Sequence, residues 1–280
     1  MESNTATILL AALAHEGRLA VFRLLVRRMP EGVRPSGIAL ALDLKPNTLS
    51  QYLSVLEQAG LVQSERQGRA VLYRADMARM GKLVDFLVAD CCRGRPDLCA
   101  EAATQALTPQ GTQAMTDRPL NVLFICTGNS ARSIFAEALL RDLGGDRFRA
   151  FSAGTRPAPE LNPFAVELLR RQGHDIDRLR AKTTAEFQGP NAPAMDFVFT
   201  VCDTAANEDC PPWPGQPITA HWGLPDPVKV EGTDAEKSLA FAEAYAAMRR
   251  RVEAFTSLPL AELDRMSLQR RLDAIGGADV

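Results

Sequence analysis

Cys126 and Arg132 are separated by Thr127-Gly128-Asn129-Ser130-Ala131 and followed by Ser133, and they stand between an apolar run, LNVLFIC, and a helix-like run, RSIFAEALLRDLGG. A loop of this length can wrap a tetrahedral oxyanion with its backbone N–H groups, and a helix opening at Arg132 adds the positive end of its dipole. The same field is expected to lower the pKa of Cys126, so that a thiolate is present at neutral pH. Arg132 offers a planar fork for two oxygens of the anion. Gly128 permits backbone geometry that a side chain would block, and Ser133 can donate to the sulfur. Residues 127–133 would together form the oxyanion seat. The bland alternative is a core cysteine beside a helix-capping turn.

The 280 residues suggest two domains, and a hydrophobic fraction of 46% is enough for two cores. A net charge of −2 excludes a generic polyanion binder. Residues 1–100 nevertheless carry 13 Lys and Arg against 10 Asp and Glu, which fits nucleic-acid contact by that half. No apolar run approaches the ~18 residues of a membrane span. MESNTATILL lacks the basic region and cleavage pattern of a signal peptide. A cytoplasmic protein with reduced thiols is therefore expected. Its six cysteines fall into two groups, Cys91, Cys92, Cys99 and Cys126, Cys202, Cys210. In a reducing compartment such groups are ligands or catalysts more often than disulfides.

These residues need elements to position them. Residues 4–29 read as two helices with Leu9, Leu10, Leu13, Leu19, Phe22, Leu25 and Val26 facing inward. A short helix over Ser36–Leu42, capped by Ser36, and a helix from Pro46 to Ala59 follow. Two strands, Leu61–Glu65 and Ala70–Arg74, join through a turn at Arg66-Gln67-Gly68-Arg69, and a last helix spans Met77–Ala89. That order is a winged helix-turn-helix, mainly α with a β-hairpin wing, over residues 1–100. Residues 101–118 lack apolar periodicity and read as a linker. From 119 to 257, strands (LNVLFIC, Phe148–Ser152, Met195–Val201) alternate with helices (from Arg132, Pro163–Gln172, Asp234–Phe255), which implies an α/β domain with a parallel sheet flanked by helices. Residues 258–280 are polar and read as a loose helical tail.

The CTGNSARS loop, Ser152-Ala153-Gly154, Val201-Cys202-Asp203, Cys210-Pro211 and His221-Trp222-Gly223-Leu224-Pro225-Asp226-Pro227 together resemble the low-molecular-weight protein tyrosine phosphatases and, within them, the thioredoxin-coupled arsenate reductases. The resemblance implies a four-stranded parallel sheet, Cys126 as nucleophile and Asp226 as general acid. Two features favour a reductase over a phosphatase. Val228-Lys229-Val230 offers no ring to stack on a phenol, and Cys202 with Cys210 could relay electrons from a thioredoxin or similar thiol reductant to Cys126. Incidental thiols, or a zinc pair lacking partners, are the alternatives for Cys202 and Cys210. Some relatives bind K+ near the loop; Asn129, Glu137 and Ser152 fit such a site, while Ala185 stands where an acidic ligand would help. No organic cofactor is implied. His15, His174 and His221 read as structural, His221 as positioning the loop that carries Asp226.

On Asn47–Leu56, Leu49, Leu53 and Leu56 face a core, whereas Asn47, Thr48, Ser50 and Gln51 suit base edges in a major groove. Arg66 and Arg69 suit phosphate. LSQYLSVLEQAGLV and GRAVLYRAD resemble the ArsR-type winged-helix repressors, which implies a homodimer on operator DNA that is released by a metal or metalloid. Cys91, Cys92 and Cys99 offer the three thiolates that As(III) takes in a pyramidal site; zinc prefers four ligands, and no histidine is near. Unliganded reactive thiols are the alternative. The whole then reads as an arsenite-responsive repressor joined to an arsenate reductase. The rivals are a phosphatase joined to a regulator, and a non-catalytic oxyanion-binding regulator.

Overall fold

The structure, a computed structural model, describes residues 1–68, 70–87, 90, 118–189, 191–208, 213 and 217–277. The chain divides into two compact units, the first essentially residues 1–110 and the second essentially 111–280. Cys91, Cys92, Cys99, Arg69, Cys210 and nearly all of the linker expected over 101–118 lie outside the described residues.

In the first unit, helices α1 (Ser3–Leu13), α2 (Glu16–Arg27), α3 (Pro35–Ala41) and α4 (Pro46–Gln58) precede strands β1 (Val62–Gln67) and β2 (Ala70–Ala75) and helix α5 (Met77–Phe86). His15 caps α2 by accepting from the Gly17 amide, and Asp76 caps α5 through the Arg79 amide. Helix α3 opens on Pro35, with Arg34 rather than Ser36 at the cap, because a proline needs no amide partner in the first turn. The hairpin pairs Gln67 with Ala70, so its turn is two residues and Arg66 lies within the ladder opposite Val71. Leu9, Phe22 and Leu25 are buried as expected, but Leu10 is 44% and Leu19 41% exposed. Ala6, Ala12, Val21 and Leu24 complete the core instead. Helix α1 is apolar almost all round, so spacing alone does not select which stripe turns inward.

The second unit is a four-stranded parallel sheet in the order β4-β3-β5-β6, formed by β3 (Leu120–Cys126), β4 (Phe148–Gly154), β5 (Phe197–Thr200) and β6 (Ile218–His221). Helices α6 (Arg132–Gly144), α7 (Pro163–Arg171), a short α8 (Asp203–Asn207), α9 (Asp234–Thr256) and α10 (Arg265–Gly277) accompany it. Asn162 caps α7, and a Thr233–Glu236 capping box opens α9. Phe124, Phe197, Phe199, Trp222 and Phe255 form the aromatic centre, with Phe199 stacked on Trp222 at 4.0 Å.

Of the tail expected over 258–280, the described residues 258–277 are not loose. Helix α10 buries Leu268 and Leu272, Trp222 Nε1 donates to the Leu272 carbonyl at 3.0 Å, and the buried Arg251 donates to the carbonyls of Trp222, Gly223 and Gly276. Leu268, Leu272 and Ile275 face the core from this helix, a stripe too thin to stand out in a polar segment.

Candidate active site

Strand β3 ends at Cys126 and α6 begins at Arg132, so the loop between them lies at the carboxyl edge of the sheet, where open parallel sheets present ligand crevices. The loop's carbonyls are turned outward. Those of Cys126, Thr127, Gly128 and Ser130 accept from the amides of Thr155, Arg156, Ala158 and Asn162 at 2.8–3.1 Å. In a planar trans peptide the next N–H points the opposite way, so the amides of Thr127, Gly128, Asn129 and Ala131 face inward. The Asn129 amide does so, donating to Cys126 Sγ at 3.1 Å.

Opposite Cys126 in the ladder is Gly154. A Cβ there would lie 2.7 Å from the Thr127 carbonyl and 3.0 Å from Asn129 Cβ, which is why the Ser-Ala-Gly motif ends on glycine. Asn129 is fully buried with φ of 44°, the left-handed region that asparagine tolerates best among residues with a Cβ. Its Oδ1 accepts from the Lys182 amide at 2.7 Å, which fixes the amide's orientation, and its Nδ2 donates to Ser133 Oγ and Ser152 Oγ at 2.9 and 2.8 Å. With that lone pair of Ser133 engaged, its hydroxyl hydrogen is free for Cys126 Sγ at 2.9 Å.

Arg132 is buried; Nη2 meets Asp226 Oδ2 at 2.8 Å and Nη1 donates to the Leu224 carbonyl at 2.9 Å. Asp226 also caps the turn Pro227–Lys229 through the Val228 amide. Burial pushes the Cys126 thiol above its ordinary value; the Ser133 hydroxyl and the Asn129 amide pull it down without cancelling that rise. This corrects the expectation of a standing thiolate: the sulfur is dry, and the charge of Arg132 is already shared with Asp226.

The expected residues Cys126, Arg132 and Asp226 thus converge on one loop. Cys202 joins them, buried, with Sγ 3.4 Å from Thr127 Oγ1. His221 bonds Thr200 Oγ1 and Asp203 Oδ1, and so ties the end of β6 to the start of α8 beside Cys202. Ser152, Glu137 and Asn129 also meet: Ser152 Oγ donates to Glu137 Oε2 at 2.5 Å. Glu137 has two further partners, Arg141 at 3.0 Å, four residues along the same helix, and Lys182 at 3.0 Å, which gave no signal in the sequence. No cluster of three metal-ligating side chains occurs among the described residues. In the first unit, Asn47, Ser50, Gln51 and Arg66 are exposed and Thr48 is half-buried.

Residues 121–269 match the low molecular weight phosphotyrosine protein phosphatase family, more than half of the chain. The chain belongs to that family. The phosphatase-family match runs past α9 into α10, in keeping with the packing of that helix. Several similar proteins are arsenate reductases by name. An arsenate reductase of Bacillus licheniformis is 37% identical over 135 residues, 48% of this chain and 93% of that protein. One of Bacillus subtilis is 34% identical over 134 residues, 48% and 93% of the two chains. For the other half, a solved ArsR-like transcriptional regulator from Rhodococcus sp. RHA1 covers 37% of this chain and 93% of its own, at 25% identity and a TM-score of 0.31.

Proposed function

We propose that the phosphatase-family unit reduces arsenate to arsenite, and that the first unit is a winged-helix repressor that senses the arsenite. The observation that carries the first part is the approach of Cys202 Sγ to within 3.4 Å of Thr127 Oγ1 in the anion loop. Hydrolysis needs no second thiol against the loop, whereas electron transfer does. The exposed Val228 beside Asp226-Pro227 supplies no ring for a phenol, and the similarity to named arsenate reductases supports the same reading.

Arsenate, as its hydrogen dianion, enters the ring of inward amides and takes the Arg132 fork from Asp226. It accepts the Cys126 proton as it settles, which leaves the thiolate hydrogen-bonded to Ser133. The thiolate attacks arsenic, and one hydroxyl leaves as water with a proton that Asp226, released from Arg132 by the anion, has taken up from solvent. Cys202 then attacks Cys126 sulfur; the S–As electron pair remains on arsenic, arsenite departs, and a Cys126–Cys202 disulfide remains. Cys210 attacks Cys202 and frees Cys126, and a thioredoxin-type dithiol reduces the Cys202–Cys210 disulfide. Asn47, Thr48, Ser50, Gln51, Arg66 and Arg69 would contact operator DNA from a homodimer, and As(III) on Cys91, Cys92 and Cys99 would release it by favouring another dimer shape.

The test is arsenate-dependent NADPH oxidation with thioredoxin and its reductase, comparing wild type with Cys126→Ser, Cys202→Ser and Cys210→Ser. Wild type should turn over repeatedly and all three variants should not. Full multiple turnover by Cys202→Ser would refute the relay, and aryl phosphate hydrolysis without arsenate turnover would favour a phosphatase. For the first unit, arsenite should release operator DNA from wild type and not from Cys91→Ser.

A further inference from the structure

The residues first considered as K+ ligands are occupied by one another and by fixed cations. Glu137 Oε2 accepts from Lys182 Nζ at 3.0 Å and from Ser152 Oγ, and Glu137 Oε1 accepts from Arg141 Nη2 at 3.0 Å. Asn129 Oδ1 is taken by the Lys182 amide, and Ser152 Oγ accepts from Asn129. Lys182 itself is 7% exposed, and its ammonium also donates to the Arg180 carbonyl at 3.0 Å. An alkali ion would need these oxygens unclaimed and a net negative cage; neither condition is met.

We infer that Lys182 is a positioning residue whose buried ammonium stands in for an alkali ion, bracing Glu137 and, through Ser152, the Asn129 amide that orients Ser133 toward Cys126. The chain has a single consistent polarity. Lys182 Nζ and Ser152 Oγ both donate to the Glu137 carboxylate. Ser152 then has a lone pair for Asn129 Nδ2, the same amide also donates to Ser133, and Ser133 turns its hydrogen to the sulfur. The Lys182 main chain secures the other end of that amide, so one residue fixes both the orientation of Asn129 and the charge behind Ser152. Without the ammonium, Glu137 Oε2 loses the cation that braces it, and the acceptor that holds Ser152 behind the Asn129 amide is no longer fixed in place.

The inference rests on Cys126 being the nucleophile, but its test requires no arsenate. The second-order rate of Cys126 alkylation by iodoacetamide is followed by peptide mass mapping at pH 7.5, in KCl and in tetramethylammonium chloride, whose cation is too large to enter. Wild type should react at the same rate in both salts. Lys182→Met should react about tenfold more slowly in tetramethylammonium and recover in KCl, as a diffusible ion takes the vacated place. Lys182→Met/Glu137→Gln, in which both charges are gone, should be indifferent to the salt. A merely structural lysine would lower thermal stability without this salt-specific recovery. Equal rates for Lys182→Met in the two salts, or acceleration of wild type by K+, would overturn the inference. If Lys182→Met does not fold, Lys182→Gln, which keeps a polar side chain but no charge, replaces it with the same two outcomes. Loss of arsenate turnover with this pattern intact would refute the proposed reaction alone.

Discussion

Gly154→Ala gives the sharpest check on the geometry of the loop. The added methyl would lie 2.7 Å from the Thr127 carbonyl, 3.0 Å from Asn129 Cβ and 3.2 Å from the Asn129 amide nitrogen. Ordinary contact begins near 3.4 Å, so the first of these is short by about 0.7 Å, and it falls on backbone that has no rotamer to change. The loop is tied on its outer side by the four bonds to residues 155–162, so relief comes through movement of the inward amides. Overpacking of this kind costs about 1–3 kcal/mol. If that strain is felt in the anion complex, kcat/KM for arsenate falls about tenfold to a hundredfold, since ~1.4 kcal/mol is a factor of ten. The melting temperature should fall by roughly 3–10 °C. The assay is the coupled NADPH oxidation, with phosphate affinity by calorimetry as a second reading. Gly173→Ala is the control: its φ of 84° strains an alanine, but nothing lies within 4 Å of the new methyl, so it should lose stability and keep kcat/KM. Wild-type kcat/KM and phosphate affinity in Gly154→Ala would refute the account of the loop.

Leu272→Ala should destabilise the phosphatase-family unit by about 2–5 kcal/mol, because Leu272 is fully buried, and should red-shift the emission of Trp222 as its surroundings loosen; chemical denaturation with fluorescence reads both, and an unchanged midpoint would restore the view of this segment as a tail. Alkylation of Cys126 should rise with pH through a midpoint above the ~8.5 of an ordinary thiol, since burial favours the neutral form. By linkage, the stability this group contributes is present below the unfolded thiol's pKa and is lost as pH rises through the folded one. Asp226→Asn should lower that midpoint, since it returns the Arg132 charge to the sulfur; a midpoint that stays in place would show that Arg132 does not act on Cys126 in the free loop.

The anion loop was legible in the sequence because its parts are local: a strand end, a five-residue turn and a helix start lie within one continuous stretch. Helices α7 and α9 were expected over Pro163–Gln172 and Asp234–Phe255, within a residue of the observed Pro163–Arg171 and Asp234–Thr256. Asp226 was found only by resemblance, since nothing in its neighbours points to Arg132, 94 positions earlier. Lys182 was invisible for the same reason in stronger form. A lysine in a polar stretch reads as solvated, and only the approach of the segment around Thr183 to the end of β4, through the Gly154–Thr183 bridge, buries it. The expectation of a low thiol pKa failed because spacing reports the helix and the arginine but not the dryness of the sulfur or the carboxylate already on Arg132.

Arg251 grips three carbonyls, two beside Trp222 at the root of the segment that carries Asp226 and one at the far end of the final helix. Clipping of the last turn by a protease would therefore reach the proton donor without touching it: one of the three anchors would go, and Asp226 would swing on a slackened hinge.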